Sequence, residues 1–243
     1  NRRAENVGFF HDFIYFLKYL ESQPITCTNK GNISLADIEK LRRGLKEQKV
    51  FEEHARFGWK ITTESQIQFL HQVRVIAGIM HLTYKRKGEL FLSKNGRGFL
   101  YNISPLIQYQ NMVLDFWERV NWEYFSPGRV TTILQDNQST IWKILLEKSE
   151  SWVDFSTFCQ ILKLLLKLQS HYDSQDHFYG EEKDFRNWQL YLDVEYGLFY
   201  RNLERFGCVE VERRKDQNGM EVLERFRLTP VGVYALRKFL ARG

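Results

Sequence analysis

Residues 206–240 read FGCVEVERRKDQNGMEVLERFRLTPVGVYALRKFL, and residues 73–100 read VRVIAGIMHLTYKRKGELFLSKNGRGFL. The same order stands in both. An amphipathic helix ends near a Gly, an apolar strand follows, then a charged turn, a second strand and the string Leu-x-Lys/Pro-x-Gly that opens another helix. Gly78 and Gly207 fit left-handed helix C-caps. Lys87-Gly88 and Asn218-Gly219 fit tight hairpin turns, so hairpins are expected within 79–93 and 208–228. Thr229-Pro230 adds a capping hydroxyl with Pro at the first helical position.

Upstream of each copy the periodicity is helical. Phe9, Phe10, Phe13, Ile14, Phe16, Leu17 and Leu20 form one stripe that stops before Pro24. Ser34 is expected to cap a helix to about Gln48, with Ile33 and Ile38 as a hydrophobic staple. Residues 49–62 are less regular, and Thr63 with Gln66 reads as a capping box ahead of a helix to Ala77. Pro105 opens a helix rich in Leu106, Met112, Val113, Phe116 and Trp117, and another runs from about Val130 to Lys148. Asp154 caps a helix to about Ser170, an acidic loop spans 171–187, and a helix follows from Trp188 to Phe206. The expected fold is mostly α (α+β). An N-terminal domain covers 1–128 and a C-terminal domain 129–243, joined by long apolar connector helices.

With 243 residues, 43% hydrophobic and 15% aromatic, the chain can bury two cores. No apolar run approaches the ~18 residues of a membrane span. The opening NRRAENVG lacks the apolar stretch of a signal peptide, so a cytoplasmic protein is expected. Cys27, Cys159 and Cys208 are odd in number and widely spaced, which suits reduced thiols. The net charge of +5 is unevenly placed. Between Lys60 and Tyr101, seven cations face two carboxylates, Glu64 and Glu89, whereas 171–187 leans acidic through Asp173, Asp176, Glu181, Glu182 and Asp184. The two copies are therefore expected to do different work.

Catalytic constellations are weak. No Ser elbow, zincin motif or Cys-x-x-Cys occurs, and Gly96–Gly98 lacks the phosphate-loop pattern. His171, Asp173, Asp176 and His177 match no standard metal-ligand spacing, and His11-Asp12 reads as a surface pair. No catalytic residue, cofactor or metal is expected.

The strings LFLSKNGRGFL (90–100) and FRLTPVGVYAL (226–236) resemble the last wing strand and following helix of winged-helix domains in bacterial DNA-binding regulators. TCTNKGNISLADIEKL (26–41) is similar to the start of winged-helix modules in uncharacterised bacterial and mobile-element proteins. The resemblance implies two winged helices in tandem and double-stranded DNA as partner, with a helix in the major groove and the wing on phosphate. In the first copy that helix is Ser65–Ala77. Phe69, Leu70, Val73, Ile76 and Ala77 share its core face. Gln68, His71, Gln72 and Arg74 share the opposite face, where Gln and Arg suit base edges. Ile67 and Val75 fall on that outer face too, which hints at a covering element. Lys85, Arg86 and Lys87 at the wing tip, with Lys94 and Arg97 beyond it, would neutralise phosphates.

In the second copy Tyr196, Phe199, Tyr200, Leu203 and Phe206 are expected to face the core. Asp193, Glu195 and Glu204 would face out beside Arg201 and Arg205, and a duplex would repel three acids. Glu210 and Glu212 flank Arg213, Arg214 and Lys215. A protein surface is expected there. The rival reading is an assembly module like the tandem winged-helix subunits of SMC-type chromosome complexes. It would take a protein partner or form a homodimer through helices 105–124 and 130–148.

Overall fold

The computed structural model describes residues 2–148, 151–168, 182–215 and 219–242. The chain is mostly helical with two small antiparallel sheets, and it divides into two compact units, Asn1–Val120 and Asn121–Gly243.

The first unit begins with α1 (Arg2–Glu5) and α2 (Gly8–Ser22), then β1 (Ile25–Thr26), α3 (Leu35–Arg42) and α4 (Lys49–Arg56). It continues with α5 (Gln68–Ile79), β2 (Thr83–Arg86), β3 (Glu89–Leu92), α6 (Lys94–Asn102) and α7 (Pro105–Arg119). The stripe on α2 is the core: Phe9, Phe10, Phe13, Phe16, Leu17 and Leu20 are buried. Phe13 meets Phe99 edge-on at 6.0 Å and Phe10 meets Tyr109 at 5.8 Å. Ser34 caps α3 through the Asp37 N–H at 3.2 Å, and Ile33 and Ile38 are both buried. The helix stops at Arg42, short of Gln48. There Asp12, fully buried on α2, accepts the N–H groups of Lys46 (2.7 Å) and Glu47 (3.0 Å), which holds the chain in a turn. Asp12 is therefore a buried backbone anchor, and the half-exposed His11 pairs with it, Nδ1 lying 3.1 Å from its Oδ1.

The second unit holds α8 (Thr131–Asp136), α9 (Gln138–Glu147), β4 (Val153–Asp154), α10 (Phe155–Leu165) and α11 (Glu182–Val194). A π-helical stretch, Glu195–Leu203, continues α11, followed by β5 (Val209–Lys215), β6 (Glu221–Leu228) and α12 (Pro230–Leu240). Phe155, Phe158, Phe199 and Phe226 form its aromatic centre, with ring centroids 4.6 to 5.8 Å apart where they touch. The acidic segment 171–181 and the turn 216–218 lie outside the described residues.

Of the helices expected as connectors, α7 lies in the first unit and α8 and α9 lie in the second. α7 packs on α1 and α5, and the helix expected over 130–148 breaks at Asn137 into α8 and α9. α9 packs on α12, where Trp142 meets Phe239 edge-on at 6.5 Å. Their apolar faces serve local cores. Among the described residues no helix is long and apolar enough to cross a membrane.

The two sheets share one strand order, β1-β3-β2 and β4-β6-β5. The reason for the repeated sequence string lies at the junction of helix, hairpin and following helix. In the second unit Gly207 (φ +67) ends the helix: its N–H donates to Glu204 and the Cys208 N–H to Leu203. In the first unit the same pair of bonds runs from His81 to Gly78 and from Leu82 to Ala77, with His81 at φ +56. This is the Schellman arrangement. The left-handed residue is thus His81 rather than Gly78, which lies within α5. His is among the side chains that tolerate this region.

The next steps match as well. The Ser93 and Thr229 N–H groups donate to Leu82 and Cys208. Their hydroxyls donate to the His81 and Gly207 carbonyls at 2.8 and 2.7 Å, and accept from Gly96 and Gly232 at 2.9 Å each. A Cβ on Gly96 would lie 2.3 Å from the Leu82 carbonyl oxygen, and on Gly232 2.0 Å from that of Cys208. The Gly of each string is the space in which a helix start docks on the preceding helix end.

Candidate nucleic-acid interface

The first hairpin closes with Arg86 opposite Glu89, and both turn residues have positive φ, Lys87 at 49° and Gly88 at 79°. That is the geometry of a type I′ turn, whose twist matches the strands. Lys85, Arg86 and Lys87 are exposed there, and none has a carboxylate partner among the described residues. Lys94 and Arg97 are exposed on α6. They line an open cleft of about 760 Å³ with Tyr101, Asn111 and Asp115.

The α5 candidates are placed differently. Gln68 is exposed at the first turn. Gln72 is 1% exposed and His71 is buried, so the face expected to be open holds neither. The reason is coverage: α2, α7, the turn before α5 and β2 all pack on this helix. Ile67 is fully buried and Val75 half-buried by the same crowding.

Arg74 is drawn inward by Glu64, which is fully buried. Glu64 Oε1 accepts from Arg74 Nε at 2.7 Å and lies 2.8 Å from His71 Nδ1, while Oε2 accepts the Ile33 N–H. Arg74 Nη2 also lies 3.2 Å from His71 Nδ1, so Glu64, His71 and Arg74 form one cluster. Burial pushes the Glu64 carboxyl up. The hydrogen bonds from His71 and Arg74, the Arg74 charge and the Ile33 N–H outweigh this and hold it below the usual carboxylate range. In the sequence alone Glu64 is one of two acids in a cationic segment. Its place inside the capping box, on a short 3-10 turn Glu64–Gln66, was the available signal.

The turn Cys27–Ile33 ties these parts together. The Cys27 N–H donates to the Gly88 carbonyl at 2.8 Å, and Lys85 Nζ lies 3.2 Å from where a Gly31 Cβ would stand. At its other end Asn32 Nδ2 donates to Thr63 Oγ1 at 3.2 Å. Burial raises the Cys27 thiol, and the nearby Lys85 and Arg74 cations pull against it. Lys85 and Arg74 therefore approach one point from β2 and α5.

In the second unit the helix face also turns. Asp193 and Glu195 are buried, while Tyr196 and Tyr200 are exposed. A π-helical stretch bonds i to i+5, so the face read at 3.6 residues per turn slips at Val194. Leu198, Phe199, Leu203 and Phe206 then supply the core. Arg201 and Arg205 sit over the Tyr196 and Tyr200 rings at 5.8 and 5.5 Å. Burial raises the Glu195 carboxyl despite the Leu223 N–H and the Arg213 charge.

Three cations of the second hairpin are paired. Arg213 holds Glu204 at 2.6 Å, Arg225 holds Glu212 at 2.6 Å and Arg227 holds Glu210 at 2.6 Å. Arg225 and Arg227 also lie over the Trp152 ring at 5.1 and 4.8 Å. Glu210 and Glu212 are thus spent on the opposite strand and not on Arg214 or Lys215, which are exposed.

Cys27, Cys159 and Cys208 form no disulfide, and Cys159 and Cys208 are buried. Among the described residues no cluster of His, Cys, Asp and Glu could hold a metal ion. The His171 to His177 segment lies outside them. No family model, curated protein or solved structure matches the chain.

Proposed function

We propose that both units are winged helices and that the first is a non-enzymatic, cytoplasmic DNA-binding module. It grips duplex phosphates with its wing, the hairpin of β2 and β3. The carrying observation is the exposed Lys85, Arg86 and Lys87, free of carboxylate partners among the described residues. The burial of Gln72 and His71 and the hold of Glu64 on Arg74 speak for phosphate contact without base reading by α5. Lys94 and Arg97 extend the cationic surface along α6.

Each phosphate neutralised releases counterion, so affinity for a random duplex should fall steeply with salt. Titration of a labelled duplex at two salt concentrations tests this. Replacing Lys85, Arg86 and Lys87 with Ala should flatten the slope by up to about three and weaken binding to all sequences alike. No duplex affinity at low salt would sink the reading.

One observation favours protein contact for the second unit. Trp188, Tyr196 and Tyr200 are exposed along the helix before its hairpin, with Arg201 and Arg205 beside them. Trp, Tyr and Arg are the residues that dominate protein interfaces. In that reading the second unit recruits a protein while the first holds DNA.

A further inference from the structure

We infer that the first unit engages nucleic acid with unpaired bases, stacking a base on an aromatic column formed by Phe57 and Trp59. This rests on the phosphate-binding role proposed for its hairpin. Phe57 and Trp59 follow α4 and are 54% and 62% exposed, far more than a packed loop requires. Their rings are stacked at 4.9 Å and 26°, and the Arg56 guanidinium lies over the Phe57 ring at 5.5 Å. His54 meets Trp59 edge-on at 5.9 Å, which steadies the indole. The column is preformed and open to solvent at Trp59.

Its neighbourhood is cationic. The turn Cys27–Ile33 bridges this segment to the wing, through Asn32 to Thr63 at one end and Gly88 and Lys85 at the other. The segments 28–32, 55–63 and 83–88 carry Lys30, Arg56, Lys60, Lys85, Arg86 and Lys87, all exposed, and no carboxylate. Of the bordering acids, Glu64 is fully buried, Glu89 is half-buried on β3 opposite Arg86, and Glu52 and Glu53 belong to α4, with Glu53 3.9 Å from Lys49. An exposed aromatic face beside an unopposed cationic track is the chemistry of single-strand binding: phosphates on the cations, base faces on the rings. A blunt duplex has no free base face except at its ends. A strand leaving a duplex offers both.

The test compares three oligonucleotides in equilibrium binding to the whole chain: a blunt duplex, the same duplex with a thymidine overhang, and one with an abasic overhang of equal length. Overhang phosphates are the same in the last two. The thymidine overhang should bind about tenfold tighter than the abasic one, and Trp59→Ala should abolish that gap. Trp59→Phe should keep most of it. Binding of the blunt duplex should be unchanged in both variants, because Trp59 is not on the wing. Equal binding of the two overhangs, or a gap that survives Trp59→Ala, overturns the inference while leaving the wing's role intact. Loss of all binding in Lys85→Ala/Arg86→Ala/Lys87→Ala with a normal Trp59 places the phosphate grip at the wing as proposed. Wild-type protein that binds none of the three overturns both readings.

Discussion

In the first hairpin Lys85, Arg86 and Lys87 stand exposed without carboxylate partners among the described residues. In the second, Arg213, Arg225 and Arg227 each hold a glutamate. Both hairpins hang from the same junction, built from a left-handed cap, a Ser or Thr hydroxyl and a Gly against a carbonyl. The scaffold is repeated and the electrostatics are not. A cationic sequence run thus says little about surface potential until its partners across the sheet are known, because paired cations in a ladder offer a polyanion much less.

The most damaging way to test the shared scaffold is at its glycines. Gly96→Ala and Gly232→Ala should each destabilise their unit by about 3 kcal/mol, because the new methyl overlaps a carbonyl oxygen that cannot move without its strand. Chemical denaturation followed by tryptophan fluorescence would measure it. A loss in one unit only would break the equivalence.

The two buried glutamates should separate the units next. Glu64→Gln should cost about 2 kcal/mol at neutral pH, since an ionised acceptor of several hydrogen bonds is replaced. The Glu64 value is lowered, so its contribution is present above the unfolded carboxylate range and is lost as pH falls through the folded value. Glu195 is raised, so the sign reverses: the second unit loses stability as pH rises from the ordinary carboxylate range through the raised folded value. Glu195→Gln should therefore be neutral or stabilising at pH 7. Denaturation of both variants at pH 4 and pH 7 checks the opposite slopes.

Charge liberation tests the contrast between the hairpins directly. Glu210→Gln with Glu212→Gln frees Arg227 and Arg225, and should raise duplex affinity and steepen the salt dependence by about one to two. Binding isotherms at two salt concentrations would show it. No change would mean that pairing is not what silences the second hairpin.

The smallest effect is at the helix cap. His81→Gly should stabilise the first unit by about 0.5–1 kcal/mol, and Gly207→Ala should destabilise the second by about 1 kcal/mol, since only Gly is at ease at positive φ. Thermal melts of the two variants should shift in opposite directions.

The sequence by itself determined the α2 stripe, the Ser34 and Asp154 caps, the capping box at Thr63 and Gln66, and both hairpins. These depend on local periodicity, capping chemistry and turn preference, which act over a few residues. The helix α4 lay in a stretch read as irregular, because its N-cap makes no side-chain bond and only Phe51 along it is buried. Of the candidate site, the five cations on the hairpin and α6 were legible because charge on a turn or an exposed helix start stays in water. Only the tertiary structure decided the rest. It covered α5 from several sides and so removed His71 and Gln72 from the surface. It drew Arg74 to a buried Glu64 and turned the second unit's helix through a π-helical stretch that a fixed 3.6-residue period cannot describe. It also matched Glu210 and Glu212 of the second hairpin to Arg227 and Arg225 on the opposite strand. Burial and ion pairing depend on what the rest of the chain brings alongside, and no local window of sequence contains that.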